Sequence, residues 1–597
     1  MPTGGGKSVT FQVPSLLKDG ICLVITPLIA LMKDQTENLL NKGIKAAQIN
    51  SGMTFNEIKL TLNNCIFGDY KFLYISPERI ANEVFQNSLK KMTVSLIVVD
   101  EAHCISQWGY DFRPSYLQIN LLRLLLPEAP MLALTATATR PVIEDITQKL
   151  ELRKPTVLRK SFERKNLIYV VREVEDKNGY LLKIVNKTRG SGIIYVRNRK
   201  KTREIATFLN QQKIPSTYYH AGLKQEVRNN RQEDWMKGKK RVIVSTNAFG
   251  MGIDKADVRF VVHYDIPDSI EEYFQEAGRA GRDEKQAYAV LLYNQSDIRK
   301  LEERVKNNFP EIPEIKKAYQ ALCNFLEIPY EGGKGQVFDF KISDFASRYN
   351  LNILQAFNCL KVMQREGYIE LTDEINNPSR IHFTIDRNEL YKFQVANANL
   401  DGFVKLLLRS YTGLFSEYIK IDENQIARRA GITLEQTFGF LNKLSSLKII
   451  NYIPQKRTPL VIFTEERLED KSIFISKENY EARKKAYVDR LNGIMNYFTS
   501  TTKCRSQILL HYFDEKEAYR CGQCDICMKR NELELSRYEF DMILDDIKEL
   551  LSEQSESLED LVRAVHYPEN KVLKVIAWLL DNHKILKSTG GELSWHK

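Results

Sequence analysis

The chain has 597 residues, 43% hydrophobic and 27% charged, which is enough apolar content for several buried cores and about four domains by length. No run of about 18 uncharged apolar residues occurs, so neither a helical membrane span nor a membrane partner is expected. A net charge of +11 favours an acidic polymer as partner without proving one.

The first eight residues end in Gly4-Gly5-Gly6-Lys7-Ser8 and fit a phosphate-binding loop, with Met1 standing where the pattern usually has Gly. This pattern occupies the place of a signal peptide, so none is expected. Thr3 and the three glycines would turn backbone N–H groups toward phosphate oxygens. Lys7 would reach the β- and γ-phosphates of ATP, and Ser8 would ligate Mg²⁺. The helix opening near Ser8 adds its positive end. Short apolar runs follow at 21–25, 72–75, 96–99 and 131–134, separated by amphipathic stretches such as 28–41. This is the alternation of a parallel sheet covered on both faces, an α/β fold with ligands at the carboxyl ends of its strands. The run 96–99 ends in Asp100-Glu101, where Asp100 would hold Mg²⁺ through water and Glu101 would polarise the attacking water.

Residues 1–8, 26–35, 76–79, 100–116 and 133–139 resemble successive motifs of RecQ-type helicases. The most specific is Asp100-Glu101-Ala102-His103 followed by a loop with Trp108, Tyr110, Phe112 and Arg113, which suits base stacking and phosphate contact. The resemblance implies that Trp108, Phe112 and Arg113 sense DNA and couple it to hydrolysis. It also implies some tens of residues before the phosphate loop, including the first central strand. The chain starts at the loop, so its first sheet is expected to lack that strand and to leave unpaired backbone beside the loop.

A second sheet of the same design is expected from runs at 191–196, 216–219, 241–245, 258–264 and 287–293, with a helix at 201–211 and a polar connecting loop around 173–178. Two such blocks in tandem imply a cleft with ATP between them. The stretches 245–254 and 275–282 resemble RecQ motifs V and VI. By that resemblance Arg282 is the arginine finger, Arg279 and Gln275 contact the γ-phosphate, and Gly252 and Asp254 face the same cleft. Residues 218–223 also match the family, placing His220 near the DNA track; Tyr218 reads equally well as core.

Residues 311–480 are not covered by the resemblance. Gly332-Gly333-Lys334-Gly335 reads as a linker. Helices at 341–349 and 353–366 with β-like runs at 368–371 and 380–385 make one winged-helix-like unit. Helices at 423–430 and 434–447 with runs at 449–453 and 460–464 make another, whose wing tip carries Lys456 and Arg457. Such units bind either DNA or protein, and the residues leave both open.

Of nine cysteines, Cys22, Cys65, Cys104, Cys323 and Cys359 are scattered and read as buried small apolar residues. Cys504, Cys521, Cys524 and Cys527 cluster in the spacing of a closed tetrahedral Zn²⁺ site, which argues for a reducing compartment. The stretch from Cys504 onward resembles the helical RecQ zinc module, where the metal is structural. His511 reads as a surface residue. Residues 535–597 form a third winged-helix-like unit, leaving no room for the further helical domain that many family members carry.

The expected architecture is therefore two tandem RecA-like motor domains (1–155, 156–305), the 311–480 insertion, a 481–530 four-cysteine zinc module and a 535–597 terminal domain. The expected function is an ATP-dependent RecQ-family DNA helicase, moving 3′ to 5′ on single strands and duplex junctions in repair or recombination, cytoplasmic and nucleoid-associated. The alternatives are a truncated, hydrolysis-deficient DNA-binding protein, and an RNA helicase.

Overall fold

Five parallel strands build the first sheet: β1 (Ile21–Ile25), β2 (Ala46–Ile49), β3 (Phe72–Ile75), β4 (Val94–Val99) and β5 (Met131–Ala133), in the order β2-β3-β1-β4-β5. The computed structural model describes all residues except 1–4, 28, 51–52, 107–110, 251–252, 254, 373–378, 412, 416–417, 455–458, 477, 532–534, 536, 582–583, 589–590 and 596–597. Thr3, Gly4, Trp108, Tyr110, Gly252, Asp254, Lys456 and Arg457 thus lie outside the described residues. Along β1, Ile21, Leu23 and Ile25 enter one apolar cluster while Cys22 and Val24 enter another on the opposite face. The period of two, with both faces covered, is why these strands read as continuous apolar runs. Among the described residues no gap interrupts the sheet, and its edges are β2 and β5.

The second sheet holds β6 (Leu167–Glu173), β7 (Ser191–Tyr195), β8 (Ser216–Tyr219), β9 (Val242–Ser245), β10 (Val258–His263) and β11 (Ala287–Tyr293), all parallel, in the order β6-β11-β10-β7-β9-β8. The loop expected at 173–178 is corrected: Glu173 closes β6, and Lys177 opens the helix Lys177–Lys187, capped by Asp176 Oδ1 accepting from Gly179 N–H (2.9 Å). The Lys177 ammonium is buried against Asp297 (2.5 Å) and Tyr264 O (2.7 Å).

The chain divides into two compact units, Met1–Leu301 with Ala486–Lys597, and Glu302–Lys485. In the second unit the helices Ile342–Arg348 and Ile353–Arg365, and Glu423–Ala430 and Leu434–Ser446, form as expected, but the wings do not. β12 (Val337–Asp339) and β13 (Ile369–Leu371) both pair antiparallel with β17 (Leu460–Phe463), while β14 (Arg380–Phe383) pairs with β15 (Ile419–Lys420) and β16 (Ile450–Ile453). Within Glu302–Lys485, one winged-helix-like part is therefore threaded into the wing of the other. Each half keeps its own apolar cluster, one around Phe345, Leu360 and Phe463, the other around Ile381, Val404 and Leu441. The glycine linker expected at 332–335 is a packed turn instead: Gly335 N–H donates to Phe463 O (2.7 Å), and its carbonyl accepts from Tyr418 Oη (2.9 Å) and Asn451 Nδ2 (3.2 Å).

At the carboxyl end, helices Arg537–Glu553, Leu558–Ala564 and Glu569–Asp581 pack with the hairpin β18 (Ile585–Lys587) and β19 (Leu593–Trp595). Among the described residues no helix is long and apolar enough to cross a membrane.

Candidate nucleotide site and zinc cluster

The parallel order places the carboxyl ends of β1 and β4 side by side, with Asp100 N–H donating to Ile25 O (2.9 Å). Gly6, at φ 81°, turns the backbone into the helix Lys7–Leu16; this left-handed conformation is easy only for glycine. Lys7 and Ser8 are the first two residues of that helix, and Gly5 precedes the turn. Lys7 Nζ lies 3.5 Å from Glu101 Oε1. Glu101 itself sits at φ 46°, a left-handed position uncommon for a residue with a side chain. Such strain, held by surrounding packing, marks functional turns.

Burial beside a second carboxylate pushes Asp100 up to about 6. Burial would raise Glu101 too, but Lys7, His103 and Arg279 together hold it below the ordinary carboxylate range. Arg279 belongs to the second lobe, so charges from both parallel-sheet lobes act on one carboxylate. Burial lowers the His103 pKa while Glu101 opposes that shift, and its Nδ1 lies 3.0 Å from Thr135 Oγ1. This ties the acidic turn to the segment after β5, a link that sequence reasoning missed although both residues lie within stretches it singled out.

The helix Ile270–Ala277 carries Gln275, buried at its last turn, and leads into Arg279 and Arg282. Arg279 donates Nη1–H to Gly250 O, and a Cβ on Gly250 would run into the guanidinium. Its buried Nε has no hydrogen-bond partner among the described residues. Arg282 donates Nη1–H to Ile253 O (2.6 Å). Behind them, His263 Nε2 and Glu276 Oε2 share a 3.0 Å hydrogen bond, His263 stacks on Tyr195 (5.5 Å, 23°), and Tyr195 Oη donates to Phe249 O (2.8 Å). This buried chain braces the loop after β9 against the arginine segment.

The four sulfurs of Cys504, Cys521, Cys524 and Cys527 lie within 4.8 Å of one another. Cys504 Sγ is 3.5 Å from Cys521 Sγ and 3.9 Å from Cys524 Sγ. A tetrahedron of thiolates at a Zn–S distance of about 2.3 Å has edges of about 3.8 Å, so the cluster fits Zn²⁺. Backbone N–H groups of Cys521, Cys524 and Cys527 point at the preceding cluster sulfurs at 3.3–3.4 Å. The five other cysteines are buried, all nine are free of disulfides, and His511 is exposed.

Comparison with known proteins matches residues 1–146 to the DEAD/DEAH box helicase family, 176–284 to the helicase conserved C-terminal domain, 381–454 to the RecQ helicase winged-helix domain of Bacteroidota, and 465–528 to the RecQ zinc-binding domain. The chain is 44% identical over 331 residues to the ATP-dependent DNA helicase RecQ of Pasteurella multocida, covering 55% of this chain and 52% of that protein. It is 34% identical over 394 residues to the probable ATP-dependent DNA helicase RecS of Bacillus subtilis, covering 65% of this chain and 79% of that protein. The chain belongs to the RecQ helicase family. It spans about half the length of the RecQ relatives from Pasteurella multocida and Bacillus subtilis that it matches.

The RecQ zinc-binding match covers all four cysteines, so the cluster is a RecQ zinc module. Its buried Arg505 grips Asp525 with two bonds (3.0 and 3.2 Å), and Asp525 also accepts from Val171 N–H and Arg172 Nη1 (3.4 Å each), seating the module on β6. Phe112 lies under Lys149 Nζ (5.8 Å to the ring), and Arg113 is paired with Asp111 (3.0 Å) and Pro27 O (3.3 Å). His220 stacks on Tyr218 (6.0 Å), whose ring faces the Arg231 guanidinium (3.6 Å). Tyr218, left between core and surface in sequence, is half-buried.

Proposed function

We propose that this chain is the motor of an ATP-dependent DNA helicase that moves 3′ to 5′ and separates strands in repair or recombination. The observation that carries this reading is the Lys7–Glu101 pair at 3.5 Å, with Arg279 of the second lobe among the charges that lower the Glu101 pKa. Bound Mg·ATP supplies the phosphoanhydride bond whose hydrolysis drives movement. Gly5, Gly6 and Lys7, with Thr3 and Gly4 before them, cradle its phosphates, while Ser8 and Asp100 hold Mg²⁺. Glu101, kept ionised by its cationic neighbours, accepts the proton of the attacking water. Arg279, Arg282 and Gln275 stabilise the developing charge from the second lobe, and Gly252 and Asp254 are assigned to the same nucleotide site. His220 and the Arg231–Tyr218 pair offer a stacking and cationic surface for single-stranded DNA, as do Trp108, Phe112 and Arg113 once Arg113 exchanges Asp111 for a phosphate. Zn²⁺ is structural, since four thiolates leave no open position. We place this work in the cytoplasm, at the nucleoid.

The test is ATP turnover with and without single-stranded DNA, beside Lys7→Ala. DNA should raise turnover at least about tenfold, and Lys7→Ala should abolish it. Turnover equal in the variant, or indifferent to DNA, overturns the reading.

A further inference from the structure

The zinc module does more than sit on the second lobe. Its helix Arg505–Tyr512 ends in a turn, Tyr512-Phe513-Asp514-Glu515, that touches three separate parts of the motor. Asp514 Oδ2 accepts from Arg140 N–H (3.1 Å), the first amide of the first-lobe helix Arg140–Lys149. The N-cap residue of that helix, Thr139, makes no side-chain cap bond, so a carboxylate 374 residues away in sequence serves that helix end. Glu515 accepts from Phe162 N–H (2.6 Å) and Ser161 Oγ (2.7 Å), on the segment joining the lobes. Tyr512 Oη donates to Glu271 (2.7 Å) on the helix leading to Arg279. Phe513 stacks on Phe162 (4.6 Å) and meets Phe274 of that same helix edge-on (5.1 Å).

A cavity of about 700 Å³, lined among others by Met131, Ala133, Ile146, Phe162 and Phe513, opens beside these contacts. Packing on this side is therefore incomplete, and the polar bonds share the alignment with the Phe513 ring contacts. Asp514 holds φ 67°, a left-handed conformation that Asp and Asn tolerate better than most residues and that points its carboxylate at the helix end.

We infer that Tyr512–Glu515 is a hinge clamp, with Asp514 and Glu515 as positioning residues that fix the spacing of the two lobes and thereby set Arg279 against Glu101. The catalytic consequence rests on the ATPase reading above; the mechanical one does not. Zinc, by ordering the module, would set the width of the cleft without touching nucleotide.

The experiment uses the full zinc-loaded chain carrying encoded, non-cysteine spin labels at the exposed positions Leu60 and Arg203, one in each lobe. Distances are measured without nucleotide or DNA, so that failure of the ATPase reading cannot mask the result. Asp514→Gly with Glu515→Ala removes three acceptor bonds while glycine keeps the left-handed backbone. The interlobe distance distribution should widen at least about twofold with zinc content unchanged, and Asp514→Asn, which retains an acceptor oxygen, should match the parent. In turnover the double variant should lose about 10- to 100-fold in kcat with little change in KM for ATP. An unchanged distribution overturns the clamp. Should the double variant fail to fold, Asp514→Gly alone carries the test: exchange of the Arg140 amide should rise about 3- to 10-fold, and an unchanged rate overturns it.

Discussion

Lys7 Nζ lies 3.5 Å from Glu101 Oε1, joining residues 94 apart in sequence, so the phosphate-loop cation and the strand-end acid form one charge pair. The pair keeps Glu101 ionised despite its burial and keeps Lys7 aimed into the crevice. A γ-phosphate would compete for Lys7 and leave Glu101 free to act on water. Glu101→Gln preserves the shape and removes the base. Turnover should fall about 10²- to 10⁴-fold while affinity for a nucleotide analogue stays within about threefold of the parent. Parallel loss of binding would show that Glu101 holds the loop rather than the water.

The residues of this crevice were legible because they sit at the ends of strands that are apolar on both faces. Such strands stand out in sequence, and so do the glycines and acids that follow them. β2 does not stand out: Ala46–Ile49 carries two alanines and Gln48, so it lacks the bulky apolar run that marks the equally short β3. The brace through Glu276, His263 and Tyr195 was hidden for another reason, since three polar residues on separate elements carry no shared spacing until the sheet brings them together. The wings were misread because neighbouring β-like runs were paired locally, and nothing in a sequence marks a strand whose partner lies about ninety residues away.

Arg505 and Asp525 are both buried, and their two-pronged bond joins the helix after Cys504 to the one carrying Cys527. Arg505→Met leaves the carboxylate without its main partner in a place water does not reach. Breaking such a pair costs about 3–5 kcal/mol. Zinc release during urea titration should move to markedly lower urea in this variant, read by a colorimetric chelator. Release at the parent's midpoint would mean that Val171 N–H and Arg172 suffice to hold Asp525.

Burial pushes Glu276 up to about 8 and Glu272 up to about 7, whereas it drives His263 down to about 3. A carboxyl whose pKa is raised by folding gives stability that is full below its unfolded value, near 4.5, and is lost as pH rises through the folded value. His263 acts oppositely, losing its contribution only as pH falls below about 6.5. Between about pH 7 and 8 the brace should therefore weaken through Glu276 alone of these three. Amide exchange along the helix Ile270–Ala277, corrected for the intrinsic pH dependence, should accelerate over that unit of pH. Glu276→Gln keeps a partner for His263 and should flatten the response; a slope surviving in the variant would place the titration elsewhere.

The threaded wing yields a structural test. Leu371 stands opposite Val461 in the β13–β17 ladder, and Thr372 N–H donates to Leu460 O (3.0 Å) while Leu460 N–H donates to Thr372 Oγ1 (2.9 Å). The two strand ends are thus already a hairpin in register, with the inner unit inserted at its tip. The apolar clusters of the inner and outer halves are separate, so neither half borrows its core from the other. Replacing residues 373–459 with Asn-Gly, a two-residue turn matched to strand twist, should close the hairpin without disturbing the outer unit. The cost includes the bonds from Phe340 N–H to Pro459 O (2.9 Å), from Tyr418 Oη and Asn451 Nδ2 to Gly335 O (2.9 and 3.2 Å), and from Arg380 Nη1 to Glu370 Oε1 (3.1 Å), all of them polar contacts outside the two apolar clusters. The shortened chain should stay soluble, keep its zinc, and retain DNA-independent ATP turnover within about threefold, and any change in DNA affinity would then belong to the inner winged unit. Aggregation of the shortened chain would show that the inner unit is needed to hold β17 between β12 and β13.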